Sequence, residues 1–243
     1  MSRMDGLRPP FPWTILCPQL SIAWYMNTTD RELPLFPLNV VLFPRMMMPL
    51  YIFEERYKAM IQACLDSDSR FGVVLIKQGQ EVGAPAIPYT TGTVARIRRI
   101  TPLDDGTLNV MAMGEQRFYI RKIMWEQPYI TALVSLPEEP EGDPPPTAEV
   151  IEPLRVDLEE YLRTLLGLRG GWVREVDCPT DPVDLSFYVA SVLRGDNQER
   201  QRILEAPTAR ERIQLLMPLL RQEHQRIRSQ LEKRMTPPGT WLN

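Results

Sequence analysis

Between Leu33 and Leu136 the apolar residues fall in short runs of strand length, and beyond residue 147 they recur at helical spacing. Phe71 to Ile76 reads FGVVLI, an unbroken apolar run, while Thr93 to Ile100 reads TVARIRRI, mixing β-branched residues with arginines as a half-exposed strand does. Asp104-Asp105-Gly106-Thr107 is a turn signal, because glycine tolerates positive φ, and it predicts a hairpin into LNVMAMG at 108–114. RFYIRKI and YITALVSL follow, and in the second Ile130, Ala132, Val134 and Leu136 share one face. A single helix, Glu54 to Asp66, interrupts these strands. Many short strands with one helix predict a small, partly closed β-barrel.

The stretch PLFPLNVVLFPRMMMPLYIFEERY, residues 34–57, sets four prolines and three consecutive methionines among β-branched and aromatic residues. Pro34, Pro37, Pro44 and Pro49 lack an N–H, so they suit strand edges, bends and strand starts and cut one apolar run into barrel segments. Phe36, Val40, Leu42, Leu50 and Phe53 are then expected in the core. Met46, Met47 and Met48 cannot all point inward, because side chains alternate along a strand; at least one is exposed or lies under another element. Gly92, Gly106 and Gly114 read as turn and bulge positions, and Arg117 as a structural arginine pairing across the barrel.

Residues 138–147, EEPEGDPPPT, hold four prolines and a glycine and read as a linker. After it, Val150, Leu154, Leu158, Tyr161 and Leu165 form an apolar stripe at helical spacing. Asp181-Pro182 supplies a capping carboxylate and a first-turn proline ahead of VDLSFYVASVL, which Gly195 is expected to end. Thr208 and Glu211 have capping-box spacing and open a helix that runs to about Met235, with Pro218 bending it. Past Arg221 only His224, Ile227 and Leu231 interrupt the charges, and this part is expected to project from the body.

The formal charge of -3, from 28 basic and 31 acidic residues, gives no overall pull toward nucleic acid or an anionic membrane. Cys17, Cys64 and Cys178 are widely spaced with no C-x-x-C, which fits a reducing compartment and makes the cytoplasm the expected location. Residues 11–26, FPWTILCPQLSIAWYM, follow Arg3 and Arg8 in the manner of a signal peptide. Pro12 and Pro18 break that run, no small-residue cleavage site follows, and it falls short of the roughly 18 apolar residues of a membrane span. Residues 1–30 are read as a disordered or mis-called extension, with Met26 a candidate start.

Chemistry-bearing motifs are absent from these 243 residues. No Gly-Lys pair exists for a phosphate loop, His224 is the single histidine, and neither G-x-S-x-G nor G-x-G-x-x-G occurs. No cofactor and no metal site is expected. Glu54-Glu55 and Glu159-Glu160 are adjacent pairs, which on a helix point about 100° apart and do not converge. A Cys64–His224 nucleophile pair would need the two halves of the chain to meet and has no orienting third group.

LPLFPLNVVLFPRMMMPLYIFEERY, followed by GTVARIRRI and DGTLNVMAMGEQRF, resembles the N-terminal domain of ATP-dependent Lon proteases and its stand-alone relatives. Leu35-Phe36-Pro37-Leu38, Phe43-Pro44, Pro49-Leu50, Phe53, Gly92-Thr93, Asp105-Gly106 and Gly114 through Arg117 to Phe118 carry the resemblance, which extends from about Leu33 to Arg234. It implies an α+β fold: a PUA-like small β-barrel over 31–137, the linker over 138–147, an α-helical bundle ending in a long helix over 148–235, and a tail over 236–243. In full-length Lon proteases this region recognises protein substrates ahead of AAA+ and Ser-Lys peptidase modules. Neither module follows before TPPGTWLN, so no catalytic residue is carried over and a non-enzymatic protein- or peptide-binding module is expected.

Methionine repacks at little cost, which suits a surface that grips varied apolar segments. Met46, Met47 and Met48, with Trp172, are the candidate peptide-binding residues. The expected partners are unfolded or exposed hydrophobic protein segments, with a separate AAA+ protease in trans as a further candidate, and no membrane. The alternative is RNA binding through the barrel, from Arg96, Arg98 and Arg99 on one strand and ten basic against six acidic residues between Arg194 and Arg234. Few aromatics accompany those arginines for base stacking, so nucleic acid is the weaker reading.

Overall fold

The computed structural model describes residues 29–81, 86–124, 128–137, 145–168, 170–171 and 176–235. The extension before 29, most of the linker, Cys17, Trp172 and the tail lie outside the described residues. Six strands and five helices follow in the order β1 (Thr29–Leu38), β2 (Met47–Ile52), α1 (Glu55–Leu65), β3 (Arg70–Gln78), β4 (Ile87–Pro102), β5 (Leu108–Met124), β6 (Ile130–Leu136), α2 (Ala148–Leu168), α3 (Pro182–Val192), α4 (Asn197–Glu205) and α5 (Ala209–Met235).

The sheet order is β2-β5-β4-β3-β1-β6, and β6 also pairs with β5, so five strands close on themselves and β2 adds to the outside of the ring. One long strand makes this possible. The first half of β5 pairs β2 in the register Met47↔Met113 to Ile52↔Leu108, and its second half pairs β6 from Tyr119↔Ser135 to Met124↔Thr131. LNVMAMG and RFYIRKI are thus one 17-residue strand, where the sequence pattern suggests two. Leu33, Leu35, Val74, Val94, Phe118, Ala132 and Val134 fill the ring.

Gly92 and Gly114 sit inside strands, and close approach is what they serve. A Cβ at Gly92 would lie 2.6 Å from the Phe118 ring and 2.5 Å from the Val73 carbonyl oxygen, and one at Gly114 would lie 2.2 Å from the Phe43 carbonyl oxygen. Gly106, at φ +77, is the turn residue its sequence predicts.

A second apolar layer lies between α1 and the sheet. Met60, Ile61 and Cys64 of α1 pack on Phe36, Leu42, Met48, Ile52, Phe71, Val73 and Ala112. The helical half has its own core of Leu154, Leu158, Tyr161, Leu185, Val189, Ile213, Leu216 and Leu220, into which the strand half inserts Val41, Phe43 and Leu75. Asp181 caps α3, accepting from the Asp184 N–H at 2.9 Å, and Thr208 accepts from the Glu211 N–H at 3.2 Å at the start of α5.

Several expectations need correction. Phe53 is 48% exposed, because it continues the outward-facing phase of β2 set by Met47 and Tyr51. Val40 and Leu50 are only partly buried. The α3 helix ends at Val192, before Gly195, and α4 intervenes before α5, capped by Asp196, which accepts from the Glu199 N–H at 2.9 Å. Helix α5 does not leave the body after Arg221: Arg221 pairs with Asp157 of α2 at 2.8 Å, His224 lies 3.1 Å from the Thr164 hydroxyl, and Ile227 is buried.

Arg117 turns out to bridge the two halves of the chain. Its guanidinium donates to the carbonyls of Leu204, Ala206 and Pro207 at 3.1, 2.6 and 3.1 Å. Arg212, fully buried, donates to the same Ala206 carbonyl and to Ser186 Oγ, and both guanidiniums lie over the Phe187 ring. Arg200 makes a second tie, donating to the carbonyls of Leu193 and Val41 at 2.7 and 3.4 Å above the Phe43 ring. Arg117 and Arg200 therefore fasten the helices to the strands, and Arg212 braces the helical side of the first tie.

Candidate functional site

Strand β2 alternates because its two faces meet different surroundings. Met48 and Ile52 point into the layer under α1, while Met47, Pro49 and Tyr51 point outward, and Met47, Tyr51 and Phe53 are 47%, 53% and 48% exposed. The three methionines part company accordingly. Met48 is core, Met46 is half-buried with its sulfur 3.9 Å from the Arg200 guanidinium, and Met47 is open.

Beside β2 runs a groove of about 390 Å³, lined by the continuous stretch Met46 to Glu54 and, opposite it, by Phe36, Leu38, Val40, Tyr57 and Glu81. Phe36 and Tyr57 stack with centroids 4.1 Å apart, and Tyr51 and Phe53 lie 6.0 Å apart. The size and apolar lining fall in the range of ligand-binding clefts. One end is charged: Arg56 pairs with Glu54 at 2.9 Å and reaches the Glu81 carbonyl at 3.5 Å. Burial pushes the Tyr57 phenol up, Arg56 opposes this, and the Glu54 and Glu81 carboxylates add to the rise.

The outer face of β5 and β4 extends this surface. Met113 and Met111 lie opposite Met47 and Pro49. A register shift between Ile97 and Arg99 marks a bulge, which leaves Arg98 against the Met113 sulfur at 3.6 Å and Arg99 beside Met111. Arg96 differs, since it pairs with Glu115. The three arginines of β4 thus do not form one open cationic row.

A larger, more polar cleft of about 720 Å³ separates the barrel from α3, with Arg45, Arg70, Arg98, Glu115 and Asp184 on its walls. Arg45 and Asp184 pair across it at 3.0 Å, and Glu115 is taken up by Arg70 at 2.6 Å. Its carboxylates are occupied by ion pairs, and among the described residues that line it there is no cysteine, serine or histidine.

Cys64 and His224 are not brought together. Cys64 lies on the buried face of α1, where burial above all, with the Asp68 charge, pushes its thiol up to about 12, and His224 on α5 faces Thr164 of α2. Among the described residues no cluster of histidine, cysteine or carboxylate side chains could hold a metal ion, and no helix is long and apolar enough to cross a membrane. Tyr51, Tyr57 and Glu81 line the groove without having been singled out from the sequence, and Phe53, expected in the core, lines it as well. For Tyr51 and Phe53 the signal is present, as the period-two continuation of Met47.

A closed small barrel tied to a helical bundle, with an open apolar groove along its added strand, defines an α+β recognition module. The chain belongs to the family of the ATP-dependent protease La (LON) substrate-binding domain, whose model matches residues 32–222. It is 26% identical over 213 residues to the Lon protease of Escherichia coli K12, covering 84% of this chain and 27% of that protein. To Lon protease 2 of Herpetosiphon aurantiacus it is 32% identical over 202 residues, covering 80% and 24%. The chain thus matches about a quarter of these relatives' length. A solved Lon N-terminal domain protein from Xanthomonas campestris superposes with a TM-score of 0.60 at 25% identity, over 77% of this chain and 98% of that one. The N-terminal domain of the Mycobacterium avium complex Lon protease shares the fold, with a TM-score of 0.57 at 21% identity over 79% and 98%.

Proposed function

We infer that this chain is a non-enzymatic protein-binding module that takes unfolded or exposed hydrophobic protein segments into the groove beside β2. In this reading residues 31–137 form the binding half and 148–235 the supporting helical half, joined through 138–147. Met47 reaches the client directly, Met46 adapts at the groove's rim, and Met48 supports the strand from below. The observation that carries the reading is the exposure of Met47, Tyr51 and Phe53 beside an apolar cleft, in a chain of the Lon substrate-binding family. Large contiguous apolar surface on a folded protein marks an interaction site. A separate AAA+ protease in trans is the partner this reading names for captured clients, and the cytoplasm its setting.

Calorimetric titration with reduced, carboxymethylated α-lactalbumin, a permanently unfolded client, tests the assignment. Met47→Glu places a charge that must be desolvated at the contact and should weaken binding roughly tenfold. Unchanged affinity in a variant with native circular dichroism would discard the groove.

A further inference from the structure

Among the described residues strand β2 is hydrogen-bonded to β5 alone, and its other edge faces the groove. The ladder's phase is fixed by the Gly114 N–H, which donates to the Met46 carbonyl at 2.9 Å. Hydrogen-bonded pairs recur at every second residue of an antiparallel ladder. Met48, Leu50 and Ile52 therefore turn their backbone groups to β5, while Met47, Pro49 and Tyr51 turn theirs to the open side. Pro49 fits this phase, since its missing N–H removes nothing from the β5 ladder. The open edge retains the N–H groups of Met47 and Tyr51 and the carbonyls of Met47, Pro49 and Tyr51. Proline on an edge blunts pairing, yet here it deletes a single donor.

Continuous backbone along one wall is the geometry that accepts an extended chain by strand addition. Alternate side chains of such a chain would reach the floor of Phe36, Leu38 and Tyr57. At the charged end Arg56 pairs with the Glu54 carboxylate and donates to the Glu81 backbone carbonyl, while the Glu81 carboxylate accepts from the Asn39 N–H at 3.2 Å, so among the described residues no cation pairs with that carboxylate.

We propose that the open edge of β2 binds an extended protein segment by strand addition, one with apolar side chains at alternate positions and a lysine or arginine at the end beside Glu54 and Glu81. This rests on the reading that the groove binds protein. Main-chain hydrogen bonds give such a site tolerance of sequence, and the cation gives it direction.

The test uses a fluorescein-labelled peptide of alternating leucine and threonine ending in two lysines, measured by anisotropy against the full chain. Two further peptides carry N-methyl groups on alternate amides, one in each phase, which blocks pairing while keeping every side chain. One phase should bind roughly tenfold or more weakly and the other near the parent value. Tyr51→Pro should bind the parent peptide more weakly than Tyr51→Ala, since only the first removes the edge N–H. Replacing the lysines with glutamates should weaken binding, and Glu81→Gln should narrow that difference. Equal affinity of all three lysine peptides overturns strand addition, as does failure of the parent peptide to bind; indifference to the terminal charge overturns the cationic end. If the unfolded client still depends on Met47 while N-methylation has no effect, strand addition alone fails. If Met47→Glu leaves the client's affinity unchanged, the groove reading itself has failed.

Discussion

Replacing Arg117 with methionine keeps the length of the stem but removes the guanidinium that joins strand β5 to the Leu204–Pro207 segment. Arg117 is 4% exposed, so the three carbonyls it serves lose a charged donor in a largely dry setting. Hydrogen bonds to a charged group contribute about 1.5–3 kcal/mol each, and an orphaned buried acceptor costs a similar amount. The terms are not additive, because Arg212 still donates to Ala206 and the adjoining cleft can admit water to one side. A loss of roughly 3–5 kcal/mol is expected, a large part of the 5–15 kcal/mol that holds a typical domain together. The assay is urea denaturation followed by far-ultraviolet circular dichroism, with hydrogen exchange read separately on peptides from α4–α5 and from β3–β4. Arg117→Met should lower the midpoint and let the helical peptides exchange before the strand peptides, since the tie through Leu204, Ala206 and Pro207 is gone and that through Arg200 remains. A midpoint shift worth less than about 1 kcal/mol, with exchange still concerted, would refute the reasoning.

Gly114→Ala puts a Cβ 2.2 Å from the Phe43 carbonyl oxygen, so backbone must move, and a loss of roughly 2–4 kcal/mol in thermal unfolding is expected; a Tm within a degree or two of the parent would contradict it. Cys64, its thiol raised to about 12 chiefly by burial, should resist iodoacetamide at pH 8 in the folded protein and react once unfolded. Mass spectrometry of the Cys64 peptide reads this directly, and rapid native labelling would show that the packing of α1 on the sheet does not shield it.

Local pattern carried much of the fold into view. FGVVLI sits inside β3 and the Asp104–Thr107 turn joins β4 to β5 because both depend on neighbours in sequence. Barrel closure was less legible, since the β1–β6 and β1–β3 pairings rest on contacts far apart in the chain. Helix α4 escaped notice because NQERQRILE is almost wholly polar; its buried Gln201 donates to the Thr91 carbonyl at 3.1 Å, a contact no periodicity announces. The end of α5 misled in the opposite way, as Ile227 alone among charges still finds a place against the helical core. At the site, strand alternation showed that the methionines must divide between inside and outside. Which of them is open depends on the pairing of β2 with β5, and Tyr57 and Glu81 reach the groove from α1 and from the segment after β3.

The central claim, that the groove beside β2 is where protein clients are held, is tested most directly by hydrogen-exchange mass spectrometry of the full chain with and without saturating carboxymethylated α-lactalbumin. Peptides covering Met46–Glu54 should gain protection, with a smaller gain at Tyr57 and none on α5. Protection confined to the helices, or binding with no protection along β2, would contradict the account.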